Sequence, residues 1–224
     1  MCGRFTLKSS PHQVANLFTD LPVAIPEFTP RYNIAPTQQV LAVREGVNGG
    51  EAAWLRWGLI PFWAKDSSIG ARMINARLDT VDQKPAFRAA FKSRRCLVIA
   101  DGFYEWRAVG KRKQPFYITA AGGAPFAFAG IWETWRDPAK PEPVESCSIL
   151  TTDASDDLRS LHDRMPCVVP PEHFAGWLDA DFGQPKSLLA GSGKSPGIAW
   201  SFGPVNPVVN NARHDAPDCI ERLV

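Results

Sequence analysis

A cysteine stands second in the chain, in Met1-Cys2-Gly3-Arg4-Phe5-Thr6. Aminopeptidases remove an initiator methionine when the next residue is small, and Met1 is expected to be lost in this way. Cys2 would then carry a free α-amine and a thiol on one residue. The amine, with an unperturbed pKa of about 7.7–8.0, has a neutral fraction near neutral pH that condenses with an aldehyde to an imine. The thiol, unperturbed at about 8.5, can then close a five-membered thiazolidine ring. That second step is intramolecular and has the entropic advantage of one. The bland reading of Cys2 is a frayed terminus with an incidental thiol. Gly3 allows close backbone approach to a partner, but the chemistry needs neighbours that move protons.

Glu105 is the first candidate, in Asp101-Gly102-Phe103-Tyr104-Glu105-Trp106-Arg107. Strand alternation puts Phe103, Glu105 and Arg107 on one face and Tyr104 and Trp106 on the other. A carboxylate flanked by large aromatics is partly desolvated, which raises its pKa toward acid–base use; an ion pair with Arg107 is the plain alternative. His162, in Leu161-His162-Asp163-Arg164-Met165-Pro166, is read at the C-terminal end of a helix, where the dipole favours the imidazolium. Asp163 or Asp157 is positioned to orient it. Asn75, in Ile74-Asn75-Ala76-Arg77, offers a donor and an acceptor to a reacting group, or caps a turn. Arg4, Arg77 and Arg164 are candidate phosphate clamps, with exposed ion pairs as the alternative. Phe62 and Trp63 are candidate base-stacking platforms, although core aromatics are commoner.

These residues need a frame. Ser10-Pro11 followed by Val14, Leu17 and Phe18 reads as an N-cap, a proline at N1 and a short amphipathic helix. Pro22, Pro26 and Pro30 make the following stretch loop-like. Val40 to Val43 reads as a strand joined through the turn Asn48-Gly49-Gly50 to a second strand over Ala53–Gly58. Residues 61–70 read as a surface loop. Asp82 is expected to cap a helix through Pro85, Phe87 and Phe91. Strands are expected over 96–100, 103–108, 115–119, 126–132 and 144–151, with Lys111-Arg112-Lys113 as a basic hairpin tip. Asp153 or Ser155 is expected to cap a helix reaching His162. Two more helices are expected near 171–178 and 185–190, and a last strand near 199–202. No repeat or composition break divides residues 1–224. The pattern is one α+β domain, strand-dominated and curled into a barrel-like core with short flanking helices.

Composition is ordinary for a globular chain of 224 residues, with 45% apolar and 21% charged residues. Eight tryptophans and twenty prolines suit a strand-and-loop protein. A formal charge of +2 does not mark a nucleic-acid binder by its overall field, so any such contact needs a local basic patch. The start of the chain has no apolar h-region and no segment has the length of a membrane span, so a cytoplasmic protein is expected. The five cysteines, Cys2, Cys96, Cys147, Cys167 and Cys219, form no C-x-x-C pair and have no histidine at finger-like spacing. A zinc site, a disulfide framework and a cofactor are therefore not expected.

Six ordered segments resemble the SOS-response-associated peptidase family, also called abasic-site processing proteins. They are Met1-Cys2-Gly3-Arg4-Phe5, Arg31-Tyr32-Asn33-Ile34-Ala35-Pro36, Trp57-Gly58-Leu59-Ile60-Pro61, Ile74-Asn75-Ala76-Arg77, Ala100 to Trp106, and His162-Asp163-Arg164-Met165-Pro166. The resemblance extends to Asn210-Asn211-Ala212. It implies a twisted β-barrel core and a basic groove for single-stranded DNA, in a monomer that associates with the nucleoid when bound. It implies that Cys2 is the nucleophile, Glu105 the acid–base, and Asn75 and His162 its partners. It also implies DNA contacts at Arg4, Asn33 and Arg77, with Trp63 in the loop after Pro61 as a base contact. The reaction implied is a thiazolidine crosslink to an abasic site, with self-removal of Met1 and strand cleavage by β-elimination from the same imine. Three other classes share single features: an N-terminal-nucleophile glutaminase, a cysteine protease using Cys2 and His162, and a non-covalent single-stranded DNA binder. The Phe-Tyr-Glu-Trp and His-Asp-Arg-Met-Pro segments do not belong to the glutaminase pattern.

Overall fold

Asp101 is fully buried, and it fastens the N-terminal strand to the body of the protein. A computed structural model describes residues 2–47, 49–137, 139–189 and 198–223. Met1, Asn48 of the expected hairpin turn and Ala190 at the end of an expected helix lie outside these residues. Asp101 accepts hydrogen bonds from Thr6 Oγ1 at 2.6 Å, the main-chain nitrogens of Lys8 and Ser9 at 2.6 Å each, and Ser9 Oγ at 2.8 Å. Thr6 Oγ1 also lies 2.9 Å from Tyr117 Oη. The close neighbour of that ring is Gly102, where a Cβ would sit 2.3 Å from Tyr117 Oη; only glycine fits there.

The strand so fastened is β1 (Phe5–Leu7), in a five-stranded sheet with β2 (Arg31–Ile34), β7 (Gly102–Val109), β8 (Arg112–Ala120) and β13 (Trp200–Pro204). The sheet order is β13-β8-β7-β1-β2. The second sheet contains β3 (Gln39–Gly46), β4 (Gly49–Trp57), β5 (Asn75–Arg77), β6 (Arg95–Ala100), β9 (Phe126–Trp135), β10 (Val144–Asp153), β11 (Arg164–Pro166) and β12 (Val168–Val169). Within it β3, β4, β10, β9 and β6 pair in a closed ring. The pairing is mixed rather than wholly antiparallel, because β10 runs parallel to β4 and to β5.

The sequence signals that hold are those with a local cause. The helix α1 (Pro11–Ala15) starts with a capping box, Ser10 Oγ accepting from Gln13 N and Gln13 Oε1 accepting from Ser10 N. All six residues of β6 are buried, as a strand covered on both faces requires. Its outer face meets α3 (Phe174–Leu178), where Trp177 Nε1 donates to Cys96 O and Arg95 Nε donates to Trp177 O. Phe103 and Tyr104 are both buried because β7 also has two covered faces. Phe103 packs on Phe128 of the main core, and Tyr104 joins Tyr117, Val205, Val209 and Cys219 in a second cluster.

Two expected helices are corrected. The segment expected as a helix ending at His162 is a set of turns, with Leu158 and Arg159 nitrogens both donating to Ser155 O. It joins the paired strands β10 and β11, and Ala154 N donates to Asp163 O across its two ends. The helix expected from Asp82 starts later, as α2 (Arg88–Ser93), after turns that include Pro85. The loop after Pro61 contains a 3-10 helix at Ser67–Arg72, capped by Asp66. No helix among the described residues is long and apolar enough to cross a membrane.

Replacing Asp101 with alanine strands several buried donors, each costing about 1–3 kcal/mol. The Asp101→Ala variant is expected to lose about 3 kcal/mol, which lowers Tm by roughly 6–12 °C for a chain of this size. Calorimetry checks the value, and a loss inside the scatter of surface substitutions would contradict the role given to Asp101.

Candidate active site

The site forms where the two sheets meet. The antiparallel register of β1 on β7 pairs Phe5 with Phe103 and Thr6 with Gly102, and Tyr104 N donates to Arg4 O at 3.0 Å. This register runs residues 2–4 alongside the Glu105 end of β7. The other sheet supplies Asn75 at the start of β5 and His162 in the turn before β11. The phenyl ring of Phe5 bridges the two layers, edge-on to Trp57 at 5.0 Å and to Phe128 at 5.8 Å.

Cys2 is fully buried. Its carbonyl accepts a hydrogen bond from Asn75 Nδ2 at 2.8 Å, and its thiol donates to Arg4 O at 3.7 Å. Burial pushes the thiol well above its ordinary range, and the neighbouring Glu105 carboxylate pushes the same way. Asn75 Oδ1 is buried with no hydrogen-bond partner among the described residues. Glu105 is 4% exposed, and burial raises its pKa while the nearby His162 opposes the rise. His162 is half-buried, its Nδ1 accepting from Arg164 N at 3.0 Å and lying 2.7 Å from the exposed Asp163 carboxylate.

Of these groups Glu105 and His162 line an open cleft of about 830 Å³, together with Arg4 and with Trp106, Arg112 and Lys113 of the β7–β8 hairpin. Three cations, Arg4, Arg112 and Lys113, therefore line the same cleft as the buried Glu105 carboxyl. Arg4 Nη1 donates to Asn33 Oδ1 at 2.8 Å and Val209 O at 2.9 Å. No ion pair is found for Arg4 among the described residues, so its charge faces the cleft without a carboxylate.

Cys2, Arg4, Asn75, Glu105 and His162 thus gather at one place. The other expected contacts stand apart. Asn33 is fully buried, its side chain bonded to Arg4 and to the His214 carbonyl. Arg164 is buried, and its guanidinium donates to Asp153 Oδ1 at 2.8 Å and Thr151 O at 2.6 Å. Arg77 is exposed and pairs with Asp79 through both oxygens. Trp63 is 49% exposed in a loop held by Trp135 Nε1 donating to Ala64 O at 2.8 Å; it does not line the cleft. Trp106 does line it, although alternation alone aimed it away from Glu105, and its Nε1 donates to Asn210 Oδ1 at 2.7 Å. The basic tip at 111–113 was the available signal for this side of the cleft. Away from it, His214, Asp218 and Cys219 bring ligand atoms within 4.8 Å of one another, but His214 Nε2 and Asp218 Oδ1 already bond at 2.7 Å and the Cys219 thiol donates to His214 O.

The family model described as SOS response associated peptidase matches residues 1–212. The abasic site processing protein YoaM of Bacillus subtilis is 43% identical over 182 residues, covering 80% of this chain and 79% of its own. The abasic site processing protein YoqW of the same organism is 38% identical and YedK of Escherichia coli 31% identical, each with 99% of both chains covered. A crystal structure of a protein from Bacteroides thetaiotaomicron matches with a TM-score of 0.82 at 25% identity, over the whole of both chains.

Glu105 supplies a pH test of this geometry. A carboxyl with a raised folded-state pKa contributes its full stability below the unfolded pKa and loses it as pH rises through the folded value. The Glu105→Gln variant is therefore expected to gain stability relative to the parent as pH goes from mildly acid to mildly alkaline. Urea unfolding at the two pH values reads the difference, variant minus parent, and a difference that falls with rising pH would contradict the burial-driven shift.

Proposed function

Because the chain belongs to the SOS response associated peptidase family, we propose that it binds abasic sites in single-stranded DNA and bonds to them covalently through Cys2. The observation that carries this reading is the held main chain of Cys2. Asn75 grips its carbonyl beside a buried carboxyl, at a cleft whose arginine has no carboxylate partner among the described residues. Phosphates of a nucleic-acid strand are the natural counter-ions for Arg4, Arg112 and Lys113.

An abasic deoxyribose exchanges between a closed hemiacetal and an open aldehyde. Glu105, whose pKa burial raises, donates a proton to the ring oxygen as it leaves C1′. His162 assists from the opposite side of the proton balance. Its Nδ1 lies 3.0 Å from Arg164 N and 2.7 Å from Asp163 Oδ1, and these two contacts hold the orientation of the ring. Once Met1 is gone, the Cys2 amine adds to C1′ and one water leaves, giving the imine. The thiol sulfur then adds to the same carbon and its proton passes to nitrogen, closing the thiazolidine. Because burial holds the thiol protonated, the amine acts first and the sulfur second. The imine also permits β-elimination of the 3′ phosphate, which cleaves the strand. Removal of Met1 by the same residue follows from attack of the Cys2 thiol on the Met1 carbonyl carbon and hydrolysis of the thioester by water, which makes the protein a peptidase toward its own terminus.

Incubation with a single-stranded oligonucleotide bearing one abasic site should give a band that survives denaturing electrophoresis. The Cys2→Ala variant should lose it, and Glu105→Gln should slow it by about 10²-fold or more, the usual scale of general acid–base loss. A band of equal yield in Cys2→Ala would assign the nucleophile to another residue. The glutaminase and foreign-protein protease alternatives would instead give ammonia from glutamine or a cleaved protein substrate.

A further inference from the structure

The Asn33 amide uses both its acceptor and its donors at once. Its Oδ1 accepts from Arg4 Nη1 at 2.8 Å, while its Nδ2 donates to the carbonyls of Val209, Asn211 and His214 at 3.2, 3.0 and 2.6 Å. Val209 O also accepts from Arg4 Nη1. The main chain on either side of this amide is gripped from the same segment. Asp215 Oδ1 accepts from Tyr32 N at 2.5 Å and Asn33 N at 2.9 Å, and Asp215 Oδ2 accepts from Arg31 Nε. The segment 206–215 is thus a strap laid across β2, and it also reaches the cleft through Asn210, which receives Trp106 Nε1. Asp215 lies beyond the residues matched by the family model.

We propose that Asn33 and Asp215 are positioning residues, and that docking of the 206–215 strap sets the cleft's affinity for the nucleic-acid backbone by fixing Arg4. The proposal rests on the reading of this cleft given above. Arg4 spends Nη1 on Asn33 and Val209, so Nη2 and Nε remain to meet a phosphate in a fixed fork. An aspartate at 33 would still accept from Arg4 but would face three carbonyl oxygens with a negative oxygen. An alanine would leave the arginine and the three carbonyls without the amide. In either case the guanidinium loses its direction, not its charge, and the strand loses one well-formed phosphate contact.

The test uses the full chain carrying Cys2→Ala, which prevents covalent trapping and leaves an equilibrium. Binding of a fluorescent oligothymidylate is measured across a salt series. Arg4→Ala is expected to weaken binding about tenfold or more, the scale of a hydrogen bond to a charged group, and to reduce the slope of log K on log salt by about 0.7, one single-strand phosphate. Asn33→Ala should reproduce both changes and add nothing when combined with Arg4→Ala. A general loss of structure would lower the melting temperature without that non-additivity. If Asn33→Ala does not fold, Asp215→Ala carries the same slope expectation, with Asp215→Asn, which keeps Oδ1, close to the parent. An unchanged slope in the Asn33 or Asp215 variant, or effects that add fully to Arg4→Ala, would overturn the proposal. An unchanged slope in Arg4→Ala would instead overturn the nucleic-acid reading of the cleft.

Discussion

A reagent built from a chain terminus is useful only if the terminus does not fray, and the fastening of β1 meets that constraint. Terminal residues are ordinarily the least ordered part of a domain. Here Asp101 gathers the residues just after β1, Phe5 is wedged between two sheets, and Tyr104 N holds Arg4 O. Cys2 therefore lies buried three residues from an anchored phenyl ring. The ordering cost of the terminus is met by the fold before any ligand arrives, and this is the preorganisation that an intramolecular second step needs.

That burial has an electrostatic consequence. It raises both the Cys2 thiol and the Glu105 carboxyl, so it favours the protonated form of each. A protonated carboxyl suits ring opening, and a protonated thiol suits a role that follows amine attack. The cations around the cleft draw a polyanion without acting on the thiol directly. The strap adds a mechanical layer, because the arginine nearest the nucleophile is aimed by contacts made with residues about two hundred positions later in the chain.

The legible parts of the fold were those with local causes. The capping box at Ser10, the hairpin of β3 and β4, and the long apolar strands from β6 to β10 follow from short-range pattern. The strands β1, β2, β5, β11 and β12 have two to four residues each, too few to alternate, and exist because distant partners supply their hydrogen bonds. The turns before His162 read as a helix because Asp153 and Ser155 looked like caps, whereas Asp153 Oδ1 accepts from Arg164 and Ser155 Oγ makes no capping bond among the described residues. At the site, Glu105 showed itself through its aromatic neighbours. Asn75 and His162 gained meaning only from the resemblance of their segments, since nothing in their spacing places them beside Cys2. Asn33 carried no sign of its partners, which are Arg4 and the segment 209–215. Charge alone does not reveal that Asp153 and Thr151 hold Arg164.

The central claim is that one residue supplies two groups in sequence, amine and then thiol. Intact mass measurement of the adduct with abasic single-stranded DNA, with and without borohydride, tests it most directly, using the parent beside Cys2→Ser. The parent should give an adduct that needs no reductant, with the mass of the chain lacking Met1 plus the oligonucleotide minus one water. Cys2→Ser, which keeps the amine, should give an adduct that survives only after reduction. An adduct on chains that retain Met1, or a reductant-independent adduct of equal yield in Cys2→Ser, would contradict the account.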